Sequence, residues 1–473
     1  MFQYKLFTLT VRMNSRYCKV RKRVNLLKNR LYIEKLVMHH REILIIGAGT
    51  AGLMCARELA TAGHQVLVIE ARDRMGGRIH TITNNLFPLP VELGAEFVHG
   101  DLSLTKELLK EGAIEYYAME GEMWRSEKGS WIDQDEFMEH LDLVVKRLKT
   151  LQTDMNIADF LQFKFKDEKY DKLRKKISNY VEGYDAADTK QASAYSLLEE
   201  LQEEDNEQYR IKGGYKKLID YLTSECIKAG CIFKLQTVAK KINWQKGHVN
   251  VFDQNGECFT AKKIVITLSL GVLQSPPESI GNISFSPAIP EVSKAIALLG
   301  YGNVIKIILL FDEPIWNHID HIEYKNKLGE PSFFFSEEVI PTWWTQLPEK
   351  NGMITGWLAG PKATTLQNES EDPLLELALE SLSHIFQIPQ PTLKSKLIAS
   401  QVSNWGKDSF SRGAYSFETI ESKSARRIIA KSVDDTLYFA GEAYHEGPQI
   451  GTVEAALVSG KKIANQILQT ATM

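Results

Sequence analysis

The apolar positions of this chain change period several times, and each change marks an element. Ile43-Leu44-Ile45-Ile46 is apolar at every position, the pattern of a strand buried on both faces of a parallel sheet. It runs into Gly47-Ala48-Gly49-Thr50-Ala51-Gly52, after which Leu53–Ala62 reads as a helix stopped by Gly63-His64. Gln65-Val66-Leu67-Val68-Ile69-Glu70 is a second buried strand that ends on an acid. Residues 101–205 are different: charged and mostly helical in pattern, as at Leu143-Val144-Val145-Lys146-Arg147-Leu148, with no strand signal of note. Arg210-Ile211-Lys212-Gly213-Gly214-Tyr215 then leads into a helix and into strands at Val249-Asn250-Val251-Phe252 and Lys262-Lys263-Ile264-Val265-Ile266-Thr267, joined through Gln254-Asn255-Gly256. Further strands are expected at Val304–Phe311 and Met353–Leu358, and a helix at Pro373–Phe386. Leu437-Tyr438-Phe439 reads as a short strand, and Gly451-Thr452-Val453 opens a final helix. Alternating strands and helices of this kind predict an α/β chain.

The first strand, turn and helix carry chemistry. Gly47, Gly49 and Gly52 form G-x-G-x-x-G. The first glycine permits a tight turn, the second lets the backbone approach a pyrophosphate, and the third lets helix and strand pack closely. The helix N-terminus presents free N–H groups to the phosphates. Glu70, 18 residues after Gly52, stands where a carboxylate accepts hydrogen bonds from an adenosine ribose. A second glycine pair follows at once in Ala71-Arg72-Asp73-Arg74-Met75-Gly76-Gly77-Arg78, and Val91-Glu92-Leu93-Gly94-Ala95-Glu96-Phe97-Val98-His99-Gly100 comes shortly after. A nicotinamide cofactor has no need of that second pair. A longer flavin dinucleotide does, since its diphosphate and ribityl chain require more backbone donors and an arginine such as Arg78.

With these motifs the chain resembles the FAD-dependent amine oxidase family, which includes monoamine oxidases, polyamine oxidases and flavin histone lysine demethylases; the polyamine-oxidase-like branch fits best. The C-terminal Leu437-Tyr438-Phe439-Ala440-Gly441-Glu442 and Gly451–Gly460 are similar to the family's second flavin signature, so the likeness spans roughly residues 41–468. It implies a Rossmann-like FAD-binding domain from 41–100, 206–290 and 400–473, interleaved with an α+β substrate domain from 101–205 and 291–399, the former a helical cap. Arg72 and Gly77 are implied beside the cofactor, Val238 on its adenine side, Glu442 on the ribityl hydroxyls, and Thr452 and Val453 at a helix N-terminus facing the ring. No cysteine follows Cys258, so the cysteinyl-flavin bond of monoamine oxidases is impossible and FAD is expected to be non-covalent.

Three residues are expected to touch the reaction. Lys306 stands alone in Val304-Ile305-Lys306-Ile307-Ile308-Leu309, where an unpaired ammonium is strongly disfavoured. It is either a lysine snorkelling from an edge strand or, as the resemblance implies, the lysine that holds a water against flavin N5. Tyr415 is implied as an aromatic wall beside the flavin, with Trp405 packed nearby; the tyrosine that monoamine oxidases place opposite falls at Gly451 or Thr452. His99 falls where animal polyamine oxidases carry a histidine near the substrate. Glu454 is open between an ammonium ligand and a carboxylate that stabilises its own helix dipole, and Thr342-Trp343-Trp344-Thr345 between channel lining and core.

Charge sharpens the picture. Among 473 residues, 57 basic and 60 acidic side chains give −3, yet residues 1–40 hold ten bases against one acid. The leader is therefore +9 and the rest −12. The leader reads as a transit peptide, a basic arm or an extension ahead of a start at Met38. The acidic body suits cationic substrates. Five cysteines without CxxC spacing favour a reducing compartment, with the cytoplasm as default. No run approaches the ~18 apolar residues of a membrane helix, and no nucleic acid is expected. The composite expectation is oxidation of a small-molecule (poly)amine with O2 as acceptor and H2O2 as product. An L-amino-acid oxidase, with Arg412 as a candidate carboxylate clamp, a desaturase or protoporphyrinogen-type oxidase, and a flavin-binding protein without turnover are the rivals. Oligomeric state is not readable.

Overall fold

The computed structural model describes residues 40–100, 102–127, 130–132, 141–202, 207–318, 330–447 and 449–470. The basic leader, His40 apart, lies outside them. The central layer is an eight-stranded sheet in which His40–Ile46 lies between Val66–Ile69 and Cys258–Ile266, parallel to both. Leu437–Phe439 joins it alongside Cys258–Ile266, so segments almost 400 residues apart, His40–Ile46 and Leu437–Phe439, share one sheet. Ile43–Ile46, Val66–Ile69 and Leu437–Phe439 are buried at every position, which is why they read as unbroken apolar runs. The helices Thr50–Thr61 and Lys216–Lys228 and the C-terminal helix Val453–Thr470 supply side chains to the core on one face of this sheet.

A second sheet of seven strands runs Leu397–Asn404, Val304–Phe311, Met353–Ala359, Thr342–Thr345, Pro331–Phe335, Glu122–Glu127, Ser130–Ile132. All eight residues of Val304–Phe311 are buried, and the helix Glu371–Phe386 packs beneath them. Here one expectation is corrected. Residues 101–205 are not free of strands, because Tyr116–Ala118, Glu122–Glu127 and Ser130–Ile132 lie within them. Glu122–Glu127 is stabilised by parallel pairing to Pro331–Phe335, some 200 residues away, with Trp124 buried and Glu122 and Met123 exposed. Local periodicity carries no trace of so distant a partner. The helices between 141 and 201 do occur, and they bury one face in a separate cluster around Phe160, Ile177 and Leu197.

A third, small sheet sets the site. Gln208–Ile211 pairs with Phe97–His99 on one side and Tyr116–Ala118 on the other, which places His99 opposite Gln208 and Phe97 opposite Arg210. No helix among the described residues is long and apolar enough to cross a membrane.

Candidate active site

A cavity of about 890 Å³ is bordered by residues of all three of these sheets. The glycine turn forms part of its wall. Gly47 has φ +105°, and a Cβ there would sit 2.6 Å from the Thr267 hydroxyl, so the turn admits no side chain. Gly49 is extended at the head of the helix Thr50–Thr61, which no side chain caps, leaving the first-turn N–H groups directed outward. The only neighbour a Cβ on Gly49 would meet within 4 Å is the Gly77 Cα at 4.0 Å, so the space above it is free for a ligand. Gly52 is absent from the cavity wall and lies beneath it, against the Gly47 carbonyl.

The other expected cofactor residues reach the same cavity with partners of their own. Glu70 accepts from Ala48 N (2.8 Å) and Arg72 N (2.9 Å), which fixes its carboxylate at the strand end. The Arg72 guanidinium turns to Asp408 and Ser411. Arg78 donates to Glu442 Oε1 (2.8 Å) and Ala414 O (2.6 Å). Burial opposes its charge, but Tyr301 and Glu442 outweigh burial and hold the guanidinium above its ordinary value. Glu442 also takes the Ser416 hydroxyl, so Arg78 and Glu442 form a bridge between the two flavin motifs, a pairing the sequence did not reveal. Both backbone groups of Val238 are held by Gln254. Thr452 caps the C-terminal helix, accepting from Ala455 N at 3.1 Å. The Tyr444 hydroxyl is buried on the cavity wall without a partner. An open glycine cradle, an uncapped helix N-terminus and an orphaned phenol fit the diphosphate and polyol of a dinucleotide. Among the described residues no cysteine lines the cavity.

Lys306 borders the same cavity and is 1% exposed. It is neither alone nor snorkelling: its ammonium is 2.5 Å from Glu96 Oε2 and 3.3 Å from Gly94 O. Glu96 in turn meets Arg210 at 2.9 Å and the Trp344 indole N–H at 3.0 Å. Burial pushes the Glu96 carboxyl up, but Lys306 and then Arg210 outweigh it and hold it below the usual carboxylate range. The sequence reading named no counter-ion for Lys306, because Glu96 lies 210 residues away in sequence. The signal was present, since an acid in the otherwise apolar Gly94-Ala95-Glu96-Phe97-Val98 is as anomalous as the lysine it meets.

Tyr415 lines the cavity, its hydroxyl donating to Tyr184 O at 2.6 Å. The ring stacked on it is Trp357 (6.4 Å between centroids, 20° between planes), which sequence reasoning missed. Trp405 also lines the cavity, its indole N–H held by Leu93 O. A Cβ on Gly451 would lie 3.1 Å from the Tyr415 ring, so glycine leaves room there. His99 stands edge-on to Tyr184 at 6.2 Å, and burial pushes its imidazole down to about 4, neutral at physiological pH. Trp344 lines the chamber, whereas Trp343 is core, 0% exposed, with its N–H on Ile340 O.

Glu454 is not an ammonium ligand; it stands in the first turn of its own helix, where its carboxylate favours the dipole, and it also serves a second helix. It is 3% exposed and off the cavity wall, and it accepts from Leu104 N (3.0 Å), Thr105 N (2.7 Å) and the Thr105 hydroxyl (2.6 Å) at the head of the helix Ser103–Glu111. Glu454→Ala strands three buried donors and is expected to cost roughly 2–4 kcal/mol of stability, read as a lower urea midpoint, with KM for substrate unchanged in the folded fraction.

A chamber of tyrosine and tryptophan rings bordered by the ion-paired Lys306, continuous with a dinucleotide cradle, is the plan of a flavoprotein oxidoreductase. The chain belongs to the family described as flavin containing amine oxidoreductase, which matches residues 50–468. Its cofactor is therefore FAD and its donors are CH–NH or CH–NH2 groups of amines. It is 28% identical over 442 residues to Polyamine oxidase 2 of Arabidopsis thaliana, covering 87% of this chain and 84% of the relative. Polyamine oxidase 4 of Oryza sativa subsp. japonica is 26% identical, with 92% and 91% covered. Lysine-specific histone demethylase 2 of Homo sapiens is 26% identical across 91% of this chain but only 53% of its own length. A solved structure of wild-type putrescine oxidase bound to putrescine superposes with a TM-score of 0.72 at 18% identity, covering 91% of this chain and 99% of that one, a likeness of fold.

Proposed function

We propose that this protein oxidises a C–N bond of a polyamine, with dioxygen as the acceptor and peroxide as a product. The observation that carries the reading is the Lys306–Glu96 pair, which lines the same cavity as Tyr415 and the glycine cradle. FAD bound along Gly47, Gly49, Glu70, Gly77 and Arg78 supplies a two-electron acceptor for the hydride equivalent of the amine α-carbon and a donor to dioxygen. The residues do the rest. Tyr415, Trp357, Tyr184 and Trp344 form an aromatic box that accepts a cationic chain and, around the reacting nitrogen, favours its uncharged form. His99, neutral, offers an imidazole without repelling an ammonium. Lys306 keeps a fixed positive charge where dioxygen gains negative charge. The division into an FAD domain (41–100, 206–290, 400–473) and a substrate domain (101–205, 291–399) belongs to the same proposal, as does a cytoplasmic location.

The test is anaerobic addition of spermine, spermidine, their acetylated forms, putrescine, benzylamine and L-amino acids to the FAD-loaded protein. Bleaching of the flavin band by polyamines, then peroxide on admitting air, is the expected result. Amino acids belong in the panel because Arg125 lines the cavity, although Arg412 does not. Bleaching by simple monoamines or amino acids alone would reassign the substrate, and no bleaching by any member would leave a flavin-binding protein without turnover.

A further inference from the structure

An ammonium has three N–H donors, and two of those on Lys306 are spoken for. One goes to Glu96 Oε2 and one to Gly94 O, while the face of Trp344 lies 5.3 Å from the nitrogen. Lys306 borders the cavity, so a single N–H remains for it. Glu96 determines which one. Its Oε1 is pinned by Arg210 and Trp344, and Arg210 is itself anchored on the carbonyls of Thr345 (2.9 Å) and Leu347 (3.2 Å). The carboxylate thus joins the approach to Phe97–His99 with Gln208–Ile211, Thr342–Thr345 and Val304–Phe311.

We propose that Glu96 is a positioning residue for the oxidative half of the reaction: its carboxylate keeps Lys306 a cation and leaves one N–H of fixed direction for the cavity. This rests on the function proposed above. The reason is electrostatic. Two buried cations, Lys306 and Arg210, share one carboxylate. With that charge removed one of them sheds a proton, and arginine does not deprotonate in proteins, so the lysine does. The other groups facing this cluster do not substitute. Glu92, across from Lys306, is committed to Tyr215 N and Thr81, and burial pushes its carboxyl up to about 7. Tyr117 and Glu349 stand on the Arg210 side.

The experiment compares FAD-loaded native protein, Glu96→Gln, Glu96→Asp, Lys306→Met and the Glu96→Gln/Lys306→Met double variant between pH 6 and 9.5. The flavin is reduced by light, so no amine substrate is required, and its reoxidation by air-saturated buffer is timed. The pH dependence of the oxidised flavin spectrum and of its midpoint potential is recorded in parallel. Glu96→Gln is expected to gain a descending limb with a midpoint between about pH 6 and 8, the range a buried lysine without its counter-charge reaches. Above that midpoint reoxidation drops about tenfold per pH unit, and the spectrum and potential titrate at the same pH. The double variant lacks the limb. Glu96→Asp, whose charge is kept but withdrawn by one methylene, shows the limb at least one unit more alkaline.

A Glu96→Gln variant slowed equally at every pH, or not at all, with a spectrum that titrates as in the native protein, overturns the proposal and leaves Glu96 a structural ion pair. Should Glu96→Gln not fold with FAD, Glu96→Asp decides, and native reoxidation across the whole range overturns the proposal. If Lys306→Met alone reoxidises at the native rate, the lysine has no oxidative role to position and the proposal falls with it. A failed amine panel leaves this assay untouched, which separates the two readings.

Discussion

Gly49→Ala is expected to give a folded, colourless protein, and Gly52→Ala no stable protein at all, although the two glycines stand three residues apart in one motif. At Gly49 the backbone is φ −74°, ψ −179°, which alanine adopts without strain, and among the described residues beyond its own chain neighbours a methyl group meets nothing closer than 4.0 Å. The folded state tolerates it. The methyl instead occupies the space over the uncapped helix N-terminus, where the diphosphate must lie against backbone N–H groups. FAD affinity should fall by at least about 100-fold, with the thermal midpoint of the FAD-free protein unchanged within about 2 °C. At Gly52 a Cβ would overlap the Gly47 carbonyl oxygen and lie 3.1 Å from Gly47 C and 2.9 Å from the Thr267 hydroxyl. Strand, turn and helix are all fixed there by the central sheet, so the clash has no soft side chain to absorb it. A cost above about 4 kcal/mol follows, a large part of the 5–15 kcal/mol by which domains are stable. Flavin fluorescence titration and calorimetry on the two variants check both halves. A Gly49→Ala protein that binds FAD normally would remove the cradle from the cofactor site.

Lys306→Met should separate the two halves of the reaction. Reoxidation by dioxygen is expected to fall about 100-fold, since a donor aimed at developing negative charge in a dry chamber is worth 10²–10³ in rate. Reduction by amine, which needs the aromatic box rather than the cation, should change less than about threefold. Stability should fall too. Glu96, 7% exposed on its side chain, loses one of its two cations, and breaking a buried pair costs about 3–5 kcal/mol when nothing remains. Arg210 and Trp344 remain, so the loss should lie below that range. Stopped-flow reduction and reoxidation measured separately test this, and unchanged reoxidation would remove Lys306 from the oxidative step.

The nucleotide half of the site was legible because its chemistry is local. Gly47, Gly49, Gly52 and Glu70 act through backbone geometry over some 25 residues, and the two strands that frame them are apolar without interruption. The substrate half was legible only in part. Lys306 drew attention as a charge in an apolar run, yet its partner Glu96, and the Arg210 that shares this carboxylate, are brought together at the small sheet, whose pairing joins residues more than 100 positions apart. Trp357 stacks on Tyr415 by the same long-range route, and the strand at Glu122–Glu127 exists because Pro331–Phe335 lies beside it.

Thus the amino-acid pattern alone determined the α/β class, the dinucleotide turn, the buried centres of the main strands and the flavin family, because each depends on spacing along a few tens of residues. Tertiary structure alone decided that Lys306 is ion-paired, that Arg78 and Glu442 bridge the two flavin motifs, that Glu454 caps a helix 350 residues away, and which of two adjacent tryptophans faces the chamber. Burying a charge requires a counter-charge, but not one near in sequence; only the folded arrangement of the sheets selects it.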